Sequence, residues 1–486
     1  MNIFVLLKNF IVRHLDSLFI SCVIFFVGCY LFFTLSVNPL DIDELYTINI
    51  LSLNNIFEII RIGNIFDNHP PLFHIIMYVF TQIFGVSEYI IRIPSVIFFL
   101  ISIYLSFILV KKLFSTTDAI VSIIIMIILF PHPWVSQYAR GYSLLLMFTL
   151  ITMLMFVDIL KYKQNNINKN ISFNLFISYI TVSLCCMYSH YFGCIIIFTE
   201  LLFLVIIFGK KIVRELVYIF IIIAIFYLPW LLLILPKQIR RGPPNFIEWI
   251  NWNVFGDYNA IILFILIFLA LIPIIHEIIK YRNIKFAINN NMSVFAVLFL
   301  FLFPYLFVYL LYILGITCYQ SKYLIISIIP FYVLIARGIN IVKRKSIIFL
   351  LVVIFVLSAL WQKQHFIPFL DNPEYIINFV INNHNKTKRP ILFINNKVDM
   401  FREYYQYHFD KYLKKDINNS VKIVFDYDNY HNINNDIKML SRIYNNQYIW
   451  VIDCTMTYDV NRFLDTKNIV KFNDKLPQIY LIKNKL

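Results

Sequence analysis

Glycine is scarce in this chain: its 486 residues contain 10, and none lies beyond Gly338. Loops that wrap a phosphate in backbone amides need closely spaced glycines, so the C-terminal region carries no nucleotide-binding loop. Charge is scarce as well. Asp, Glu, Lys and Arg make up 14% of the sequence against 60% hydrophobic residues, and acids number 27 against 42 bases. Apolar runs near bilayer-spanning length recur through the first three quarters, which excludes an ordinary soluble core. The seven cysteines show no paired spacing, so no disulfide or zinc framework is read. No cleavable leader is evident, because Lys8 and Arg13 precede a long run that lacks a small-residue cleavage pattern. The net charge of +15 comes without a soluble basic patch interleaved with aromatics, which excludes nucleic acid as a partner. In a polytopic protein such charge marks cytoplasmic loops and anionic lipid contacts.

The apolar runs predict spans near 18–37, 93–110, 119–134, 142–160, 172–189, 192–209, 214–235, 258–279, 292–314, 323–339 and 346–362. The run Leu72–Phe84 is too short for an ordinary crossing and contains His74 and Gln82. If it does not span, Lys111-Lys112, Lys161-Lys163-Lys169, Lys210-Lys211-Arg214, Lys280-Arg282-Lys285 and Lys343-Arg344-Lys345 all share the N-terminal, cytoplasmic side. If it spans, all five clusters flip outward, against the positive-inside bias. The expectation is therefore a polytopic α-helical membrane domain over 1–362, with about eleven spans and interfacial helices on the outer face. Its first outer loop, 38–92, is too long for a simple connector and is expected to lay short amphipathic helices on the membrane.

After Trp361 the sequence turns rich in Asn, Lys and Asp. Short apolar strands are predicted near Ile391–Ile394, Val421–Phe425, Tyr448–Ile452, Ile469–Phe472 and Ile479–Ile482, with helical patterns at Met400–His408 and Asp436–Tyr444. Strand alternating with helix predicts a small α/β domain over 363–486, which eleven spans put outside the cell.

The chemistry concentrates just after the first span, where Asp41, Asp43 and Glu44 crowd together, followed by His69-Pro70-Pro71-Leu72. Crowded carboxylates raise one another's cost of ionisation, and a carboxylate at a membrane surface is a candidate general base or metal ligand. A helix cap is the competing role for Asp43, and Glu44 orients it, binds a cation or faces water. His69 is a candidate ligand or a loop histidine stiffened by its prolines. Arg140 and Lys322 are anion clamps or snorkelling cations. His190 is a core histidine or a metal ligand, and no obligatory metal is expected.

The acidic pair Asp43-Glu44, His69-Pro70-Pro71-Leu72, Arg92-Ile93-Pro94-Ser95 and Tyr138-Ala139-Arg140-Gly141-Tyr142 occur in an order that resembles the GT-C glycosyltransferases. They look most like the bacterial branch of the protein O-mannosyltransferase family, which includes the aminoarabinose transferase of lipid A. Ser189-His190-Tyr191, Pro229-Trp230 and Lys322-Tyr323 resemble later markers of that group, so the likeness covers roughly 15–362. It implies a glycosyltransferase that moves a sugar from a polyprenyl-phosphate donor to an acceptor hydroxyl on the extracytoplasmic face of a bacterial inner membrane. It implies Asp43 as general base assisted by Glu44, inversion at the sugar, and His69, Arg140, Tyr142, Lys322 and Tyr323 holding donor and leaving phosphate. A divalent metal, if used, falls to Asp43, Glu44 and His190; no cofactor is required. Two departures stand out: His69 occupies a position where relatives carry Lys, and Gly141 one where some relatives carry an acid. Partners are the lipid-linked donor, a glycan, lipid or protein acceptor, and the bilayer. A lipid-linked glycan polymerase or ligase, and a transporter or flippase, are the competing classes.

Overall fold

The structure, a computed structural model, describes residues 3–35, 40, 42–53, 55–63, 69–129, 133–233, 260–314 and 321–342, together with strands at 391–395, 421–425, 448–453, 469–471 and 478–483. The chain divides into two compact units, Met1–Ser36 with Thr47–Gln364, and Val37–Tyr46 with His365–Leu486.

The first unit is helical. Its elements are α1 (Ile3–Thr34), α2 (Ile42–Leu51, whose first turn belongs to the second unit), α3 (Leu72–Phe84), α4 (Glu88–Leu113), α5 (Thr116–Leu129), α6 (Pro133–Gln137) and α7 (Tyr142–Asn165). They continue as α8 (Phe173–Ser189), α9 (Phe192–Phe208), α10 (Lys210–Leu233), α11 (Ala260–Tyr281), α12 (Ile284–Asn290), α13 (Met292–Ile313) and α14 (Ile325–Val342). Every expected span up to 323–339 falls on a helix, and the run at 346–362 lies outside the described residues. Among the described residues, 7 helices are long and apolar enough to cross a membrane; α5, α8 and α9 are shorter apolar helices. The protein is an integral membrane protein.

Its surface shows why. Phe25, Phe26, Tyr30 and Phe33 project from α1, and Phe220, Ile225 and Phe226 from α10, all exposed. Apolar rings in that number are stable only against lipid. Helix α4 packs on α7 and α5, while α14 packs on α11, α13 and α5. Gly338 permits the α11–α14 contact: a Cβ there would stand 2.1 Å from the Leu269 carbonyl. Helix α3 matches the expected surface segment Leu72–Phe84 residue for residue. It buries Phe73, His74, Met77 and Thr81 and exposes Val79, Ile83 and Phe84, the two-faced pattern of a helix lying along an apolar boundary. Gly85, at φ 81°, ends it in a conformation that a side chain would strain.

Polar side chains inside the bundle tie helices together. Glu200 of α9 accepts from Thr152 of α7 at 3.1 Å and from Tyr179 of α8 at 2.8 Å. At one end of these helices Lys112 pairs with Asp158 at 2.5 Å, Lys161 reaches the Lys112 carbonyl, and Lys163 pairs with Glu215 at 2.7 Å. The lysines of α4 and α7 therefore gather at one end, and the N-termini of both helices point to the other.

The second unit carries a sheet of order β2-β1-β3-β5-β4, with β1 (Ile391–Asn395), β2 (Val421–Phe425), β3 (Tyr448–Asp453), β4 (Ile469–Lys471) and β5 (Gln478–Lys483). Strand β1 runs parallel to β2 and β3, pairing Ile391 with Val421 and with Trp450. Strand β5 runs antiparallel to β3 and β4. All five strands lie where short apolar runs predict them. Parallel neighbours require crossovers, and the helical patterns predicted at 400–408 and 436–444 lie outside the described residues.

Clustered basic residues at one end predict a fixed orientation. In a cysteine-free background, a cysteine at Asn166 should react with a membrane-impermeant maleimide only after the inner face is opened. One at Asn418 should react in intact cells. The reverse pattern contradicts the orientation.

Candidate active site

The site grows from the segment between α6 and α7, at the end of the bundle away from the lysines of α4 and α7. Gln137 anchors it by donating to the Leu31 carbonyl at 2.9 Å and to Thr34 Oγ1 at 2.6 Å, near the C-terminus of α1. The next two carbonyls are each held by a hydroxyl from elsewhere: Ser95 of α4 donates to Tyr138 at 2.6 Å, and Thr47 of α2 donates to Ala139 at 3.0 Å. Each such buried bond contributes about 1 kcal/mol net. Arg92, three residues before Ser95, donates to the Leu35 carbonyl at 2.6 Å and so caps the end of α1. The Arg-Ile-Pro-Ser and Tyr-Ala-Arg-Gly-Tyr elements are thus one assembly whose product is a fixed position for Arg140.

Arg140 is 5% exposed, and its Nη2 lies 3.0 Å from His69 Nδ1. A guanidinium has donors only, so His69 Nδ1 accepts, and the ring's proton resides on Nε2. His69 stands just before Pro70-Pro71, which lead directly into α3. His190 sits in extended backbone between α8 and α9, where its Nδ1 accepts the backbone N–H of Phe192 at 3.1 Å. Its proton also resides on Nε2. The turn that makes this bond depends on Gly193, where a Cβ would lie 2.5 Å from the Cys186 carbonyl oxygen.

These groups converge with two tyrosines. The rings of His69 and His190 are 4.8 Å apart, His190 and Tyr323 4.6 Å, His69 and Tyr142 6.1 Å, and Tyr142 and Tyr323 6.0 Å. Phe192 closes one side, 5.2 Å from Tyr323. Of the residues expected to hold the donor, His69, Arg140, Tyr142 and Tyr323 are brought together. Lys322 shares the one-turn 3-10 helix Ser321–Leu324 with Tyr323, and its side chain lies outside the described residues. His190 belongs to the same cluster, in a setting more specific than a core position.

Gly141 has a structural reason as well. A Cβ there would stand 3.1 Å from the Ser189 carbonyl and 3.5 Å from Phe73. An acid at this position would press on the backbone that presents His190. Asp43 and Glu44 occupy the first turn of α2, where carboxylates face the positive end of the helix dipole. Glu44 is buried and Asp43 half-buried. Asp43 precedes Thr47 by one helical turn, and both carboxylates belong to the second unit. Among the described residues, no three His, Cys, Asp or Glu side chains converge to hold a metal ion. With Nδ1 taken by Phe192, a neutral His190 has no free lone pair for one.

Sequence reasoning missed Thr47 and Phe192, and named Ser95 only as part of the Arg-Ile-Pro-Ser element. Thr47 had one signal, its position a turn beyond Asp43; hydroxyl-to-carbonyl ties across the fold leave no mark in composition.

Residues 68–232 match the model of the family described as dolichyl-phosphate-mannose-protein mannosyltransferase. That segment contains His69, Arg140, Tyr142 and His190, and it bears out the family resemblance carried by the markers. No curated protein sequence matches the chain. Among solved structures, ArnT from Cupriavidus metallidurans bound to undecaprenyl phosphate is similar, at 10% identity and TM-score 0.46, over 95% of this chain and 97% of that one. So is the oligosaccharyltransferase AglB from Archaeoglobus fulgidus in complex with an inhibitory peptide and a dolichol-phosphate, at 10% identity and TM-score 0.44, over 91% and 70%.

The close approach at Gly193 generates a prediction. Gly193→Ala should lower the thermal unfolding midpoint of the purified protein, at a cost of about 1–3 kcal/mol for overpacking against backbone. An unchanged midpoint contradicts the tight α8–α9 turn.

Proposed function

We propose that the protein is a membrane glycosyltransferase of the GT-C type that transfers a sugar from a polyprenyl-phosphate carrier to an acceptor hydroxyl. The observation that carries this reading is the buried Arg140 guanidinium, which donates to His69 in a cluster that also brings together the rings of His190, Tyr142 and Tyr323. A cluster of cationic and donor-bearing side chains at the end of a membrane bundle suits a phosphate whose lipid tail lies among the helices. The family match over 68–232 supports the same reading.

The chemistry follows from that charge arrangement. The acceptor oxygen attacks the anomeric carbon, the bond from that carbon to the phosphate oxygen breaks, and the electron pair leaves with the phosphate. Asp43 takes the acceptor's proton as general base, with Glu44 beside it. Attack opposite the leaving group inverts the anomeric centre. Arg140 and Lys322 neutralise the departing phosphate, and guanidinium geometry permits two-point binding of it. The basic ends of α4 and α7 belong in the cytoplasm, so the reaction takes place on the extracytoplasmic face of a bacterial inner membrane. Acceptors with a suitable hydroxyl include lipid, glycan and protein.

One observation favours a transporter instead: Glu200, a buried carboxyl within the membrane helices. Both of its oxygens are engaged by hydroxyls of neighbouring helices, which suits a tie better than a carrier. A glycan polymerase or ligase also works on lipid-linked sugars, and use of a monophosphate rather than a diphosphate donor would separate the present reading from one that needs diphosphate donors.

Asp43→Asn should leave donor binding intact and reduce transfer about 10²–10⁴-fold, the range for a general base; near-normal transfer contradicts the assignment.

Arg140→Lys keeps the charge and loses the planar fork, so it should raise the donor concentration needed for half-maximal transfer. Lys322→Ala should act in the same direction. Snorkelling cations predict wild-type donor curves for both.

A further inference from the structure

We propose that His190 binds the lipid phosphate directly, as a neutral imidazole donating through Nε2–H, and that the backbone amide of Phe192 sets this tautomer. The inference rests on the donor-phosphate reading of the cluster and assigns a residue whose other roles are core packing and metal ligation. Two of those three roles require opposite tautomers of the ring. A core histidine needs only to fill space. A neutral metal ligand bound through Nε2 needs a lone pair there, with the proton on Nδ1 given away to an acceptor. A phosphate donor needs the proton on Nε2.

The hydrogen bond to Nδ1 separates the donor tautomer from the metal-ligand one. Phe192 N–H is a donor and cannot change role, so Nδ1 keeps its lone pair toward the backbone, 3.1 Å away. The proton is left on Nε2. His69 shows the same pattern, with Arg140 in place of the backbone amide at 3.0 Å. Two imidazoles 4.8 Å apart, each with Nδ1 engaged by an obligate donor, present two N–H groups and no lone pair for a cation. An anion is the ligand such a pair accepts.

The backbone around His190 is built to keep this arrangement. Gly193 N–H donates to the His190 carbonyl at 2.9 Å, and Cys194 N–H to that of Tyr191 at 3.0 Å, closing the turn that carries the Phe192 amide. Ser189 donates to the Cys186 carbonyl at 2.6 Å on the other flank. His190 is 2% exposed, and its ring packs against both Tyr323 and Phe192. A hydrogen bond to an ionised ligand in such surroundings is stronger than a neutral one, so its loss should be readable as affinity. Because His190 donates while neutral, the contribution does not require an imidazolium.

The test is equilibrium binding of undecaprenyl phosphate to the purified full-length protein in nanodiscs, with undecaprenol as the uncharged control. Wild type, His190→Ala, His190→Gln and His190→Glu are compared, with and without EDTA. His190→Ala should weaken undecaprenyl phosphate binding about tenfold or more, the value of a charge-assisted hydrogen bond, and leave undecaprenol binding unchanged. His190→Gln places an amide N–H near the Nε2 position and should recover most of the loss; His190→Glu should bind worse than His190→Ala, and EDTA should have no effect. Wild-type affinity in a folded His190→Ala overturns the proposal in favour of a core histidine. Binding that His190→Glu preserves, His190→Gln does not, and EDTA abolishes overturns it in favour of a metal ligand. If His190→Ala does not fold, His190→Gln against His190→Glu gives the same decision. If wild type itself binds undecaprenol as tightly as undecaprenyl phosphate, the donor-phosphate reading fails. If wild type discriminates and the His190 variants match it, only the role of His190 fails.

Discussion

The hydrogen bond from Arg140 to His69 is the contact on which the site depends. Holding a guanidinium away from water costs several kcal/mol unless its charge and donors are answered, so the fold must fix where that charge stands. Hydroxyls from α2 and α4 grip the carbonyls just before it, and Gly141 lets the chain pass close to Ser189 just after it. His69 receives one of its donors at 3.0 Å. The guanidinium stands in a low-dielectric setting, where its electrostatic interactions are stronger than in water.

Around that charge, neutral groups are oriented so that their donors add to it. Both histidines turn Nδ1 toward an obligate donor, which leaves N–H groups in the cluster with the tyrosine hydroxyls. Such preorganised donors stabilise charge that develops on a leaving group at no reorganisation cost during the reaction. The helices carrying them are tied at a distance from the chemistry: Glu200 joins α7, α8 and α9, whose ends bear Tyr142, His190 and Phe192. A change at Glu200 therefore acts on the site through helix placement.

Much of the fold was legible because membrane helices and short strands are written in composition. The runs at 93–110 and 142–160 became α4 and α7, and the run Leu72–Phe84 kept its limits as α3. The strands appeared at 391–395 and 421–425 because a short apolar run bounded by polar residues is a local signal. The site was legible only as a roster. The markers named His69 and Arg140, residues 71 apart in sequence, without revealing that one accepts from the other. They gave no account of Ser95 and Thr47, whose partners lie 43 and 92 residues away. Tautomers are set by such distant or backbone contacts, so the roles left open for His190 could be narrowed only by three-dimensional geometry.

The central claim is that this donor cluster serves a sugar joined to a polyprenyl chain through a single phosphate. The most direct measurement supplies the purified protein, in lipid, with sugar-labelled polyprenyl-monophosphate and polyprenyl-diphosphate donors plus a membrane extract as acceptor source, and follows label and released lipid phosphate together. The account predicts consumption of a monophosphate donor with stoichiometric appearance of polyprenyl phosphate. Consumption of diphosphate donors alone, or movement of an intact lipid-linked sugar across the bilayer without cleavage, contradicts it.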